Sequence, residues 1–355
     1  MTLHELNRRE FLLTGAAALA AGPLAAAKAA PKPVVAIARI KNDGIEAAVE
    51  EAVDLLGGIR RVTKGKDRVL LKPNLVFEAR DATTKPEVVR ALAGLMKGAG
   101  KEVSIGEGSA AAADFNVKGG EIFRTRRREI LDPMQQHVFD TLGYAELAKS
   151  LHVPLVNLHS GDLVDVKLPG AFVFDTLTIH RSLTEVDLLC SVPMMKTHTL
   201  ATVTLGMKNL IGLFPGTVYQ SVRGHMHDEA AKVEPTGASA VVVDMVRASK
   251  LGLVVVDGSM AMEGDGPSTG PLVKMDVIVA GTNPVATDMV AAAVMGFEPK
   301  DVPTFEWANK AGLKPASLDE IEVRGAPVET VRRPFARPRL WGWNTIRPFW
   351  GAREI

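Results

Sequence analysis

The chain has 355 residues, 46% of them hydrophobic, and its 42 lysines and arginines nearly balance its 41 aspartates and glutamates. That composition is globular, not disordered, and the length suits one large domain or two intimately joined ones. A net charge of +1 gives no support to a nucleic-acid partner, and the lone Cys190 excludes both an intramolecular disulfide and an iron–sulfur cluster held by the chain's own cysteines.

Residues 1–30 read as a targeting segment. Asn7-Arg8-Arg9-Glu10-Phe11-Leu12-Leu13 precedes an apolar Ala/Leu/Gly run, which is similar to a twin-arginine export signal, and Ala27-Lys28-Ala29 fits small-x-small cleavage. The expectation is an exported, periplasmic protein cut near Ala29 and carried by the twin-arginine export machinery. An uncleaved membrane anchor is the alternative, but it needs about 20 apolar residues. Signals of this kind carry proteins already folded, so a cofactor taken up before export joins the expectation.

Periodicity predicts strands over Val34–Ile40, Arg68–Lys72 and Lys101–Ile105, with helices over Gly44–Leu56 and from Thr83-Thr84-Lys85-Pro86 onward. Strand, helix, strand, helix, strand implies an α/β fold with a mostly parallel, doubly wound sheet and right-handed crossovers. Ligands of such sheets sit outside the carboxyl ends of the strands. Lys72 and Asn74 lie at one such end, and Glu107 lies at another.

Asn116 to Arg128 is polar and basic, either a solvated loop or a lid over an anionic ligand. His137–Leu151 has helical spacing and Val153–Leu158 reads as a strand. Asp162–Thr178 alternates around Pro169-Gly170 as an inserted hairpin would, so the architecture is one interrupted domain or two closely joined α/β subdomains.

The densest chemistry lies in Val192 to Gly212. If Leu188–Thr199 is extended, Lys196 and His198 project from one face, and if Thr202–Leu213 is helical, Thr204 and Lys208 share another. With Asn209 they would meet where a strand ends and a helix begins, a place suited to an anionic ligand or a developing oxyanion. The bland alternative is a set of solvated lysines, but these charged groups sit among Val, Met, Leu and Ile, where an ionised side chain is normally paired or functional. Lys196, His198 and Lys208 are therefore the candidate catalytic residues, and Lys72, Asn74, Glu107, Thr204 and Asn209 the candidate anion-binding ones.

Further on, His225, His227 and Asp228 form a weak metal-ligand pattern. Ser239–Lys250 reads as a helix, and Gly252–Val256 as a strand running into Asp257-Gly258. Asp257, Glu263 and Asp265 could hold a hard divalent cation or supply a base; equally they could cap a tight turn. After a strand over Val277–Gly281, Asp288 falls in the first turns of a helix, where it suits the helix dipole. A last short strand covers Ile321–Val323. The domain is drawn over residues 31–330. The tail, 331–355, carries arginines, prolines, Trp341, Trp343 and Trp350, and would wrap the domain or meet a membrane surface or protein partner.

Several blocks together resemble the family called domain of unknown function 362: Lys72-Pro73-Asn74-Leu75, Pro193 to His198, Thr204-Leu205-Gly206-Met207-Lys208-Asn209, Asp257-Gly258 with Glu263-Gly264-Asp265-Gly266-Pro267, and Val285-Ala286-Thr287-Asp288. Family members often add a ferredoxin-like cysteine module, which this chain lacks. At the level of fold alone the arrangement is similar to nickel-pincer lactate racemase, and fold does not fix function. The residues point to a metal- or cofactor-dependent enzyme moving a proton on a small anionic substrate, isomerase- or racemase-like, or else to a non-catalytic periplasmic protein that captures an anion, metal or cofactor.

Overall fold

A computed structural model describes residues 31–42, 44–233, 236–339 and 350–355. All but the first two of these belong to one compact unit, Pro33–Ile355. The export signal, Trp341 and Trp343 lie outside the described residues.

The main sheet runs, in spatial order, Glu322–Gly325, Val34–Arg39, Val277–Gly281, Leu251–Met262, Leu188–Val192, Arg68–Pro73, Glu102–Glu107 and Leu155–Asn157. Every neighbouring pair is parallel except the two made by Val277–Gly281, which opposes both of its neighbours. The strands are nearly continuous apolar runs because both faces are covered. Val35, Ile37, Leu70, Val254 and Val256 pack on one side with residues of the helices Gly237–Ala248 and Pro284–Val294. Ala36, Ala38, Val69, Leu71, Leu253 and Val255 pack on the other against Ile45–Leu55 and Pro86–Gly98. Alternation along each strand thus divides one sheet between two cores. Pro86 opens its helix at the first turn, where its missing N–H costs nothing.

Several expectations are corrected. The His137–Leu151 helix is two, Arg128–Thr141 and Tyr144–Leu151, separated at Gly143, whose φ of 81° ends the first. The basic excursion is an antiparallel pair, Val117–Lys118 with Glu121–Arg124, and the terminal strand Trp350–Glu354 adds to it in parallel. The expected hairpin forms from Leu163–Lys167 and Thr176–His180. Instead of one helix, Thr202–Leu213 is a strand, Thr202–Thr204, followed by a 3₁₀ helix, Lys208–Leu213. Pro193 divides the central extended run, and its second half, Met194–His198, pairs with Thr202–Thr204 and with the far end of Leu251–Met262. Among the described residues no helix is long and apolar enough to cross a membrane.

Candidate functional site

Past the carboxyl ends of Arg68–Pro73 and Glu102–Glu107, four segments converge on a narrow cavity of about 70 Å³, walled by Lys72, Asn74, Glu107, Lys196, His198, Thr204, Lys208, Asn209, Arg223 and His227 among others. A larger hollow of about 490 Å³ lies between Ile45–Leu55 and Pro86–Gly98, but it shares no wall residue with this cavity and is walled by residues such as Glu46, Arg60 and Arg90.

Lys72 anchors the floor. Its ammonium, 1% exposed, donates to Glu107 Oε2 at 2.8 Å, Asn209 Oδ1 at 2.8 Å and the Pro73 carbonyl at 3.0 Å. Glu107 is itself fixed by the Leu75 and Gly108 N–H groups, and Asn209 donates to the Lys72 carbonyl and to Ser191 Oγ. Burial lowers the Lys72 pKa even though Glu107 acts to raise it. Chain crossing is so close here that a Cβ on Gly212 would stand 2.1 Å from Glu107 Oε1 and 2.7 Å from Lys72 Nζ.

Above this pair stand Lys196, Lys208 and Arg223, none in an ion pair among the described residues, although the Glu107 charge acts to raise the pKa of Lys196 and Arg223. Lys196 is fully buried and donates to the Ala82 carbonyl at 2.6 Å; burial, then the charges of Lys208 and Lys72, bring its pKa down to about 7. The Lys208 ammonium makes no protein hydrogen bond among the described residues, and burial with Lys72 and Arg223 beside it also lowers its pKa to about 7. Arg223 donates to the carbonyls of Ser109, Gly108 and Gly212 while its Nε finds no partner, and burial lowers its pKa to about 10.

His198 Nδ1 accepts the Leu200 N–H at 3.0 Å. The neutral ring therefore carries its proton on Nε2. Burial, then the charges of Lys208, His227 and Lys196, hold its pKa well below the ordinary value, so the ring is neutral near pH 7 and its Nε2–H is a donor. Two acceptors at the cavity wall are also unpaired, Asn74 Oδ1 and Thr204 Oγ1, each buried with no partner among the described residues.

The sequence groups Lys196 with His198 and Thr204 with Lys208, and all four do line the cavity, but the second pair meets by a different route. Thr204 faces Lys196 across the antiparallel register, whereas Lys208 arrives at the start of the 3₁₀ helix. That start is pinned by Asp288, whose carboxyl accepts the Gly206 and Met207 N–H groups at 2.8 Å each. Burial raises Asp288 to about 7. It is a positioning residue for Lys208 and Asn209, not a helix-dipole ornament.

The structure does not gather the metal candidates into one group among the described residues. Asp257 is buried and taken up by the Lys85 N–H and by both the N–H and hydroxyl of Ser259. Glu263 accepts from the Ala336 N–H, and Asp265 from the backbone and guanidinium of Arg339. Two residues apart on the helix Gly224–Ala230, His225 and His227 point about 200° from each other; His225 lies beside Tyr219 and Phe174 while His227 lines the cavity. Among the described residues no three His, Cys, Asp or Glu side chains are grouped to hold a metal ion.

Arg223 was not among the sequence candidates. It sits in a strained stretch where Gln220, Val222 and Arg223 have φ of 67°, 49° and 56°. For a β-branched residue such as Val222 that conformation is costly and needs support from its surroundings. No composition or spacing signal marks it.

A family model described as "Domain of unknown function (DUF362)" matches residues 69–293. A thylakoid-associated protein of Synechocystis sp. is 28% identical over 297 residues, which are 83% of each chain. Two solved structures are similar more remotely: the lactate racemase apoprotein of Thermoanaerobacterium thermosaccharolyticum, at TM-score 0.43, 14% identity and 75% of this chain, and a Thermotoga maritima protein at TM-score 0.37, 15% identity and 67%. The chain spans 57% and 56% of those two structures, and similarity at that level carries no argument about the site.

Proposed function

The chain belongs to the DUF362 family, and from that premise we propose that it is an exported enzyme that grips a small substrate by an anionic group and moves a proton at the carbon beside it, in the manner of an isomerase or racemase. Export rests on the Asn7-Arg8-Arg9 signal. One observation carries the rest: Lys196, Lys208 and Arg223 are buried together and none has an ion pair of its own among the described residues, the nearby Glu107 being bonded to Lys72. Buried cations are normally paired, so an anion of the ligand is the missing partner. Lys208 and Arg223 would hold it, with Asn209 and Lys72 fixing their positions.

Lys196, with a pKa near 7, exists partly as the free amine at neutral pH and suits a base. It would take the proton from carbon as the C–H electron pair moves into an enolate; the His198 Nε2–H would donate a hydrogen bond to the enolate oxygen as its charge grows. The ammonium then delivers that proton to the neighbouring carbon of the enediolate, the single-base route of an isomerase, because return to the same carbon on the same face would only regenerate the substrate. His198 in this scheme stabilises charge instead of shuttling the proton.

A second reading, capture of an anion without turnover, is favoured by the cavity's small volume of about 70 Å³. Exchange separates the two. In D₂O, NMR of a panel of short 2-hydroxy and 2-oxo acids should show deuterium entering next to the carboxylate or carbonyl with the native protein and none with Lys196→Met. His198→Asn should cut exchange by about 100-fold while shifting affinity only a few-fold. Binding without exchange for any acid would leave capture as the function.

A further inference from the structure

We propose that the ligand is bipartite, an anionic head of carboxylate or phosphate type joined to an apolar body, and that the body occupies the pocket adjoining the cation cavity. This rests on the anion site proposed above and names its substrate class.

At about 70 Å³ the cation cavity has room for a headgroup, well below the roughly 300–1,000 Å³ of sites for whole small molecules. Its wall does not end there. Val76, Ala110 and Val222 also line a second pocket of about 370 Å³, otherwise walled chiefly by Phe77, Ala111, Val117 and Ile122. The Ala110 N–H donates to the Val76 carbonyl and the Val222 N–H to the Ala110 carbonyl, so these three form a shared wall, and a molecule passing over its rim would reach both spaces.

One charged group marks the apolar side. Glu78 lines this pocket; its Oε1 accepts the Ala113 N–H at 2.8 Å, while its Oε2 is buried with no partner among the described residues. A buried acceptor left unpaired is costly, so a donor on the ligand body fits here. The polarity also sets the direction, since an anionic head is drawn to Lys208 and Arg223 and repelled by the Glu78 carboxyl.

Titration calorimetry with inorganic phosphate, butyl phosphate and octyl phosphate, and in parallel with acetate, butyrate and octanoate, tests the idea on the intact protein. Affinity should rise by about fourfold for each methylene buried, in whichever series the head is accepted. Ser268→Phe, which fills the apolar pocket from a residue that does not line the cation cavity, should abolish the gain with chain length while leaving the affinity for inorganic phosphate or acetate unchanged. Binding that does not depend on chain length overturns the bipartite ligand while leaving the anion site standing. A gain that survives Ser268→Phe also overturns it, because the body then lies elsewhere. If no probe of either series binds, the anion site fails and the inference falls with it.

Discussion

Two regions at the carboxyl ends of the strands carry comparable densities of charge in the sequence. One is the basic set around Lys72, Lys196 and Lys208; the other is the acidic turn of Asp257, Glu263 and Asp265. In the fold they diverge. Each acid accepts hydrogen bonds from backbone N–H groups, and Asp257 and Asp265 also from a hydroxyl and an arginine respectively. Among the bases, Lys72 has its carboxylate, whereas Lys196, Lys208 and Arg223 have carbonyls or nothing. Charge alone does not make a site; charge that the fold brings together and leaves uncompensated does, because that free energy is available to a ligand.

The largest test of this contrast breaks the one compensated pair among the bases. Glu107→Gln leaves Lys72 buried without its anion, and removing one partner of such a pair costs about 3–5 kcal/mol. Urea denaturation should show that loss, and Lys72→Met in the same background should recover part of it, since the two side chains touch and their effects do not add.

Lys208→Met should behave in the opposite sense. Replacing an unpaired buried ammonium with an isosteric apolar chain should stabilise the ligand-free protein by about 1–3 kcal/mol. The same change should weaken anion binding by roughly 30-fold or more, the usual result of truncating a desolvated charge contact. Loss of both stability and binding would place Lys208 in the structural scaffold.

Titration sharpens the same point. Lys196 and Lys208, lowered to about 7 in the fold, keep their protons in the unfolded chain up to about 10.5. Above pH 7 the unfolded state therefore binds more protons, and stability rises with pH. His159, His198 and His227, all lowered, are neutral in both states there, while Asp288, raised to about 7, is still partly protonated in the fold just above pH 7 and offsets part of the rise until it ionises toward about pH 8.5. Between about pH 7.5 and 8.5 the two lysines should contribute a slope of about 1.4 kcal/mol per pH unit each. Saturating anion should flatten the slope and Lys208→Met should halve it; denaturation at a series of pH values reads all three.

Much of the fold was legible because apolar runs of strand length and helical spacings report burial directly, and Lys72, Glu107, Lys196 and His198 fall where strand ends put them. Two kinds of information were hidden. Thr202 to Leu213 satisfies helical spacing, yet pairing of Thr202–Thr204 with Met194–His198 overrides local preference. Arg223 depends on positive φ angles at residues that sequence gives no reason to place there. The acidic turn is the converse case: its partners, Lys85, Ala336 and Arg339, lie 172, 73 and 74 residues away along the chain, and spacing cannot reveal which hydrogen bonds its carboxylates accept.

The smallest effect belongs to that turn. The Asp265 carboxylate meets Arg339, whose side chain is 88% exposed, while Asp265 is 18% exposed. A pair so open to solvent contributes about 0.2–1 kcal/mol, and the Arg339 N–H that Asp265 also accepts can turn to water. Asp265→Asn should therefore lower stability by less than about 1 kcal/mol. Its visible consequence should be local, faster proteolysis near Arg339, because that residue is held here while Ala336 and Arg337 keep their own contacts with Glu263 and Asp301. Anion affinity should not change. A substantial loss of affinity in Asp265→Asn would mean that the acidic turn and the cation cavity are one site after all, and the contrast between them would have to be abandoned.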